Sequence, residues 1–275
     1  MKNKFYLIAS LLLLLLQSSC SDEEVPPVNP NEGLLSKVEH FANDEPLGET
    51  IDLTYDERQH LASISCIKTG YSISDIEIKY ENDQIESLMI SQNFIATGNQ
   101  SENIFTVSAE NGTIQLMDAT TNDKYTITAS NGYIDSYKSY LDVDNDYYYE
   151  TIFSRDIDNN IDTITYYVTN QSETNRLAWQ YTFSNFENEV ELNSAFNPVF
   201  NYAQSFYNPF IGLALDLKIP KQPPLKSSYL DGNGTFREAH ISAEVSKVEN
   251  NLLKEFDYLV LDLPSNTYRH SFEYL

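Results

Sequence analysis

Two acidic runs place carboxylates at alternate positions, and this spacing is suited to holding a calcium ion. Neither run has the glycine at its sixth position or the glutamate at its twelfth that an EF-hand loop requires. Acidic turns also arise by chance in a chain with 41 Asp and Glu, so a calcium site and a solvated β-turn both remain open. The candidate ligands are Asp142, Asp144 and Asp146 in the first run, and Asp156, Asp158, Asn160 and Asp162 in the second.

The motifs of common catalytic sites are absent from the sequence. It contains no G-x-S-x-G, H-E-x-x-H or C-x-x-C motif and no phosphate-binding loop. The four histidines, His40, His60, His240 and His270, are scattered along the chain. No residue is therefore assigned a catalytic role. Because carboxylates are numerous, paired acids that hydrolyse a glycan remain an alternative.

A segment rich in aromatic residues is the better candidate for a ligand site. Residues 196–210, FNPVFNYAQSFYNPF, include two Asn-Pro steps, and the prolines disfavour regular structure. Such a segment either fills an open end of a sheet as core or presents its rings to a ligand. Under the second hypothesis the stacking groups are Tyr202, Tyr207 and Phe210, with Trp179 as a further candidate.

The charge distribution points to the same segment. The chain has 17 Lys and Arg against 41 Asp and Glu, a formal net charge of −24. Such a surface repels phosphate backbones, so nucleic acid is not expected as a partner. Against this background Lys218, Lys221 and Lys226 lie close together in KIPKQPPLK. We therefore expect the functional face at the insertion from Phe196 to Pro224.

The N-terminus has the order of an export signal. Lys2 and Lys4 precede the apolar run from Phe5 to Leu16, which is too short to span a bilayer as a helix. The following Ser18-Ser19-Cys20 resembles the lipobox of bacterial lipoproteins, although Gln17 stands where an aliphatic residue is usual. The resemblance implies a signal peptide over residues 1–19 and lipid attachment at Cys20. An ordinary secretory signal is the alternative.

An acidic, proline-rich stretch follows the cysteine. Its first residues, SDEE, resemble the signal that sends some lipoproteins to the outer face of the outer membrane. Residues 20–47 are predicted to form an anchor and tether. Loss of Lys2 and Lys4 leaves 15 cationic residues against 41 acids, a charge of −26. Membrane attachment would therefore come from acyl chains and not from a basic patch. With Cys20 acylated, Cys66 is the one remaining thiol, and we interpret it as a core residue.

From Gly48 onward the sequence alternates apolar and polar residues with period two. Segments such as ETIDLTYDE and DKYTITASNG are rich in Ile, Thr and Tyr and end in Asn, Asp or Gly, which predicts short strands joined by turns. With nine glycines in the chain, Asn and Asp must supply many positive-φ turn positions. Before this region, Leu34, Leu35, Val38 and Phe41 have helical spacing and predict one short helix.

A repeat of the form apolar, any, Ser or Thr, apolar recurs in this region. It appears as LASI at 61–64, IESL at 85–88, IDSY at 134–137 and IDTI at 161–164, with TIQL at 113–116 as a degenerate copy. Each unit is predicted to be one β-hairpin, and hairpins must pair to bury their apolar faces. The form preceded by Tyr55-Asp56 resembles the YD repeats of Rhs-type proteins and, more closely, YD-repeat-like lipoproteins of Gram-negative bacteria. This resemblance implies an all-β domain over residues 48–275, either an open sheet or a barrel-like shell.

The last third has two interpretations. Ile241, Val245, Val248, Leu252 and Phe256 fit a helical stripe, whereas Asn250-Asn251 and PSN at 264–266 fit turns between strands. We favour three strands because the rest of the domain is predicted to be all-β.

These observations predict a cell-surface lipoprotein that acts as a binding or scaffold module. A glycan, peptide or protein at the cell surface would be its partner, and the outer membrane would hold it through acyl chains. No cofactor is expected apart from the calcium hypothesis. The alternative is a surface hydrolase that acts on glycan through paired carboxylates.

Overall fold

The chain folds into sixteen strands and one short helix within the described residues of a computed structural model. The described residues are 33–95, 97–142, 147–170, 172–186, 209–215, 217, 222–250, 252–260 and 267–275. The first eight strands are β1 (Leu35–Ala42), β2 (Glu45–Tyr55), β3 (Leu61–Lys68), β4 (Ser72–Glu81), β5 (Gln84–Phe94), β6 (Asn99–Glu110), β7 (Thr113–Asp118) and β8 (Lys124–Ser130). The other eight are β9 (Tyr133–Asp142), β10 (Tyr147–Arg155), β11 (Ile161–Thr169), β12 (Arg176–Phe186), β13 (Pro224–Asp231), β14 (Phe236–Glu249), β15 (Leu252–Val260) and β16 (Thr267–Tyr274). The helix is α1 (Pro209–Ala214).

The strands form a closed antiparallel barrel. Each strand pairs with its neighbour in sequence, and β1 pairs with β16 to close the ring. The seam is in register at its centre, where Val38 lies opposite Phe272 and His40 opposite His270. The all-β meander predicted from the sequence is therefore confirmed, and the sheet is closed rather than open.

Alternation along each strand separates an apolar inside from a polar outside. On β2, Ile51 and Leu53 are buried while Asp52 and Thr54 are more exposed. Because side chains alternate between the two faces of a strand, this pattern places the buried residues inside the barrel. The outside carries ion pairs and hydroxyl pairs, such as Lys138–Glu150 and Thr54–Ser63.

The sequence repeat marks the start of successive odd-numbered strands. Its five copies lie at the beginnings of β3, β5, β7, β9 and β11. In LASI, both Leu61 and Ile64 face inward because the pairing with β2 shifts by one residue between them. The same irregularity occurs in IESL, IDSY and IDTI but is absent from TIQL. The three-residue apolar spacing is thus the signature of a β-bulge, which increases local twist and helps a sheet to curve.

A side chain of the next strand satisfies the carbonyl group at several of these starts. The Tyr80 hydroxyl donates to the Leu61 carbonyl at 3.1 Å, and Tyr55 donates to Leu35 at 2.7 Å. Arg155 takes the equivalent place on β10 and donates to the Ile134 carbonyl. This contact explains why a long polar side chain recurs just before the acidic turn residue.

The hairpin turns use Asn and Asp as predicted. Of the twelve described non-glycine residues with positive φ, eleven are Asn or Asp, and Gln59 is the twelfth. Asn82 and Asp83 have φ of 52° and 61° in the two-residue turn between β4 and β5. Two consecutive positive φ values match the right-handed twist of a hairpin.

The predicted N-terminal helix is wrong. Residues 35–42 form β1, which pairs with both β2 and β16. Leu35 and Val38 are both buried because the pairing with β16 shifts between Leu35 and Lys37. A bulged strand thereby imitates the three-residue spacing of a helix. The barrel consequently begins before residue 48, where the sequence interpretation placed the domain boundary.

The prediction of three strands in the last third is confirmed. β14, β15 and β16 form two successive antiparallel pairs, with Val245 opposite Phe256 and Tyr258 opposite Tyr268. The long connection between β12 and β13 contains α1, which contacts β3 and β4. Among the described residues, no helix has the length and apolarity needed to cross a membrane.

Candidate functional site

A cavity of about 570 Å³ lies at one end of the barrel. This end holds the turns that follow even-numbered strands, together with the start of β1. The size falls within the ~300–1,000 Å³ range of small-molecule sites. The cavity is lined by Leu34, Leu53, Tyr55, Gln59, His60, Leu61, Tyr80, Asp83, Gln84, Ile85, Val107, Ala109, Ile114, Ala214 and Leu215.

The cavity exists because inward-facing side chains at this end do not meet a packed partner. Further along the same strands, Ile64, Leu88 and Leu116 are at most 1 % exposed. Toward the end, the inward residues Leu61 and Ile85 keep intermediate exposure. The interior is therefore closely packed at mid-barrel and open at its end, where mostly aliphatic residues face the gap.

The helix α1 covers part of the cavity. Ile211 and Ala214 are each 1 % exposed, and the helix contacts β3 and β4. Ala214 and the following Leu215 contribute apolar atoms to the lining. The connection between β12 and β13, which contains α1, is also fixed to the barrel just before β13. There Asn160 and Gln222 exchange two hydrogen bonds of 3.0 and 3.1 Å.

Asp56 shapes the turn that forms one edge of the cavity. Its Oδ1 accepts the backbone N–H groups of Arg58 at 2.8 Å and His60 at 2.9 Å. The Asp56 N–H in turn donates to the His60 carbonyl at 2.9 Å. An Asp side chain that bonds backbone groups just ahead of it is a common way to fix a turn. The turn brings Gln59 and His60 to the cavity.

His60 is held in one orientation at this edge. Its Nδ1 lies 3.4 Å from Asp56 Oδ2, and its ring stacks on Tyr80 with centroids 4.7 Å apart and planes at 24°. The side chain is 29 % exposed, so it reaches both the lining and solvent. A neutral imidazole that donates from Nδ1 to a carboxylate keeps Nε2 as an acceptor.

Asp83 is among the residues that line the cavity. On the solvent side its Oδ1 lies 2.5 Å from Arg58 Nη1, and both side chains are more than half exposed. The described lining contains no Lys or Arg and no second carboxylate. A glycosidase mechanism requires two carboxyl groups flanking the substrate, and the described lining does not supply that pair.

The aromatic candidates fall mostly outside this description. Tyr202 and Tyr207 lie outside the described residues, as do Lys218 and Lys221. Phe210 belongs to α1, but its side chain is not among those described. Trp179 lies on β12, is 9 % exposed, and stacks on Tyr166 at 5.0 Å and 15°. Lys226 is exposed on β13.

The acidic runs are described only in part. Asp144 and Asp146, with the side chain of Asp142, lie outside the described residues. Asp156 Oδ1 accepts the N–H groups of Asp158 and Asn160, each at 2.9 Å. Asp156 therefore repeats the turn-fixing role of Asp56. Asp158 and Asp162 are exposed, and no three described His, Cys, Asp or Glu residues gather as metal ligands. Calcium binding by the runs stays a prediction.

The other singled-out residues lie away from the cavity. Cys66 is half-buried on β3, and burial raises the pKa of its thiol to about 12. His40 and His270 form a stacked pair across the β1–β16 seam with centroids 4.4 Å apart. These positions give the thiol low reactivity and make the histidine pair part of the barrel wall.

Comparison with known proteins finds similar structures but no matching family. No protein-family model matches the sequence, and no curated protein matches it. A crystal structure of a porin-like protein from Bacteroides vulgatus is similar with a TM-score of 0.47 and 10 % identity, covering 88 % of this chain and 98 % of that one. A crystal structure of a porin-like protein from Bacteroides uniformis is similar with a TM-score of 0.41 and 11 % identity, and it covers the same shares of the two chains. At TM-scores below 0.5 neither likeness supports a conclusion about function.

The sequence interpretation missed the cavity and its polar edge. His60 was noted only as one of four scattered histidines, and Asp83 was not singled out. A usable signal existed, since the repeat predicts that the turns after Tyr55 and Tyr80 lie on the same end of neighbouring hairpins. The repeat could not indicate that the space between those ends stays open.

Proposed function

We propose that this protein is a binding protein that takes a small apolar ligand into the end of its barrel. The observation that carries the proposal is the 570 Å³ cavity with a mainly apolar lining and a few polar groups at its edge. This combination is typical of small-molecule sites. The proposal keeps the binding function predicted from the sequence. It places the site at the end of the barrel that holds the turns after β2 and β4.

The polarity of the barrel wall supports a barrel that lies in water rather than in lipid. A barrel embedded in a membrane presents an apolar band about 25 Å tall to the lipid. Here the outward positions of β4 are Asp75, Glu77 and Lys79, whereas Ile76 and Ile78 face inward. Single apolar residues such as Ile104 do occur outside, but they alternate along the barrel with Ser, Thr and charged residues. Acyl chains at Cys20 would then provide the membrane attachment.

Fractionation tests the placement of the barrel. We expect the Cys20→Ser variant of the full chain to leave the membrane fraction and to stay folded in buffer without detergent. Mass spectrometry of the wild-type protein should show an acylated N-terminus at Cys20. A Cys20→Ser protein that still requires detergent for extraction would contradict the proposal, because an embedded barrel needs no acyl chain to remain in the membrane.

Filling the cavity tests the binding site. An apolar fluorescent probe, N-phenyl-1-naphthylamine, should bind the Cys20→Ser protein with increased fluorescence. Val107→Phe places a larger side chain into the lining and should lower the affinity at least tenfold. Thr106→Phe is the matched control, because Thr106 is the exposed neighbour on the outer face of β6. Equal binding by both variants would place the probe elsewhere.

A further inference from the structure

The polar groups of the cavity lie at its edge on two neighbouring turns. Gln59 and His60 come from the turn between β2 and β3, while Asp83 and Gln84 come from the turn between β4 and β5 and the start of β5. The remaining lining residues are aliphatic or are tyrosines that pack with their rings. A ligand that fills this cavity would therefore have an apolar body and one polar end located at these turns.

The chemical character of the edge favours a head group that donates hydrogen bonds. Asp83 is an acceptor when ionised, and one of its oxygens pairs with Arg58. In the neutral tautomer that carries its proton on Nδ1, which lies 3.4 Å from Asp56 Oδ2, His60 has Nε2 as an acceptor. The two glutamine amides can serve either role. Asp83 and, in this tautomer, His60 are therefore both acceptors at the edge.

The charge of the edge acts against an anionic head. The described lining includes one acidic residue, Asp83, and no Lys or Arg. Arg58 is 71 % exposed in its side chain and pairs with Asp83 from the solvent side. The chain as a whole carries a formal charge of −24. A ligand carboxylate at this edge would lie near Asp83, whose partner Arg58 is already engaged, and would find no Lys or Arg among the described lining residues.

We propose that the cavity binds a single-chain amphiphile whose head donates hydrogen bonds and carries no negative charge, such as an alkyl amine or alcohol. This inference rests on the proposed binding function. The apolar chain lies among Leu61, Ile85, Val107 and Ile114, and the head lies between His60 and Asp83. A fatty acid has the same apolar chain, but its head is a carboxylate with the negative charge that this edge disfavours.

Competition between ligands of equal chain length tests the inference. Decylamine, decanol and decanoate are titrated against bound N-phenyl-1-naphthylamine on the Cys20→Ser protein at pH 8 and low salt. We expect decylamine and decanol to displace the probe at concentrations at least tenfold lower than decanoate. High salt should narrow the gap between decylamine and decanoate, since exposed charges are screened.

Two substitutions, Asp83→Asn and His60→Phe, test which residues contact the head group of the ligand. Asp83→Asn should weaken decylamine three- to tenfold and change decanol less than twofold. Glu77→Gln removes the same charge from the outer face of β4 and should change neither. His60→Phe keeps a ring against Tyr80 but removes Nε2, so it should weaken decanol several-fold. Melting curves recorded for each variant separate these effects from loss of fold.

The outcomes distinguish this inference from the proposed function. Absence of probe binding would overturn both proposals. Probe binding followed by equal or tighter binding of decanoate would overturn the head-group inference alone and leave the cavity as a site for apolar ligands. Equal sensitivity to Asp83→Asn and Glu77→Gln would show that overall charge, and not the cavity edge, sets the preference, and would also overturn it.

Discussion

Two regions of the barrel share the same alternation of inward and outward residues but differ in how their interior is filled. At the seam formed by β15, β16 and β1, the inward positions carry rings that stack on one another. At the cavity formed by β2 to β7, the inward positions near the end carry Leu, Ile, Val and Ala together with Tyr55 and Tyr80. The binary pattern is the same in both places, but stacked rings fill the interior at the seam, whereas the side chains at this end of β2 to β7 leave it open.

The seam is filled by a connected group of rings. His40 stacks on His270 at 4.4 Å, and Tyr258 lies 5.2 Å from Tyr268 and 5.4 Å from His270. His40 Nε2 lies 2.9 Å from the Tyr258 hydroxyl, and its Nδ1 lies 3.3 Å from Glu49 Oε2. These contacts join four strands across the closure of the barrel. Among the described lining residues of the cavity, the polar groups lie at the edge and the deeper positions are mainly apolar.

Truncation of one residue on each side should give the largest difference. Phe256 is 0 % exposed and lies opposite His270, so Phe256→Ala should cost about 3–5 kcal/mol of unfolding free energy. Val107 already borders open space, so Val107→Ala should cost below about 1 kcal/mol, because little buried contact is lost. Urea unfolding of both variants of the Cys20→Ser protein measures the comparison. Equal losses would indicate that the cavity side is closed and packed in solution.

The two sides also share a tyrosine contact whose surroundings differ. Tyr274 donates to the Leu253 carbonyl at 2.9 Å and Tyr55 donates to Leu35 at 2.7 Å. Burial raises the pKa of Tyr274, whereas Tyr55 lines the open cavity. Tyr274→Phe should therefore cost about 0.5–1.5 kcal/mol. Tyr55→Phe should cost less, because water in the cavity can donate to the Leu35 carbonyl.

A control on the outer face completes this measurement. Tyr167 is half-buried on β11 between the buried residues Tyr166 and Val168, which alternation places on the opposite, inner face, so Tyr167→Phe should stay within about 0.5 kcal/mol of the parent protein. If Tyr55→Phe proves the more destabilising change, the cavity end is drier than its lining indicates, and the contrast between the two sides weakens.

The sequence predicted the strands because each local signal agreed with the final fold. Asn-Gly turns, alternating Ile and Thr, and the bulged repeat all specify hairpins within about 25 residues. A bulge of the same kind led to the wrong prediction of a helix for residues 34–41, because the spacing of Leu35 and Val38 also fits a helix. That ambiguity is resolved only by pairing with β16, which is more than 220 residues away in the chain.

The cavity could not be predicted for a related reason. It depends on which inward residues from β2, β5, β6 and α1 face one another across the barrel, and α1 is distant in sequence from all of them. Sequence patterns report the face on which a residue lies but not the distance to the opposite wall. The aromatic insertion drew attention because its composition is unusual, whereas the cavity lining is made of ordinary aliphatic residues.

The unfolding free energy should depend slightly on pH because of an ionisable group at the seam, Glu49. The hydrogen bond from His40 lowers the pKa of Glu49 from its ordinary value of 4.5. A carboxyl group whose folded-state pKa is depressed stabilises the fold fully above its unfolded-state pKa, and that stabilisation is lost as the pH falls through the folded-state value. Glu49→Gln should therefore be less stable than the parent protein at pH 7, and the difference should shrink as the pH falls below about 4.5. Its size is modest, since Glu49 is about one-third exposed in its side chain.

Measurements of unfolding free energy against pH for Glu49→Gln and for Glu77→Gln isolate this effect. Glu77 is exposed on the outer face of β4, so its substitution controls for the loss of one negative charge from an acidic chain. The seam interpretation requires that the two curves separate near neutral pH and converge in acid. If they run parallel, Glu49 contributes only to the overall charge, and the stacked rings hold the seam without help from the carboxylate.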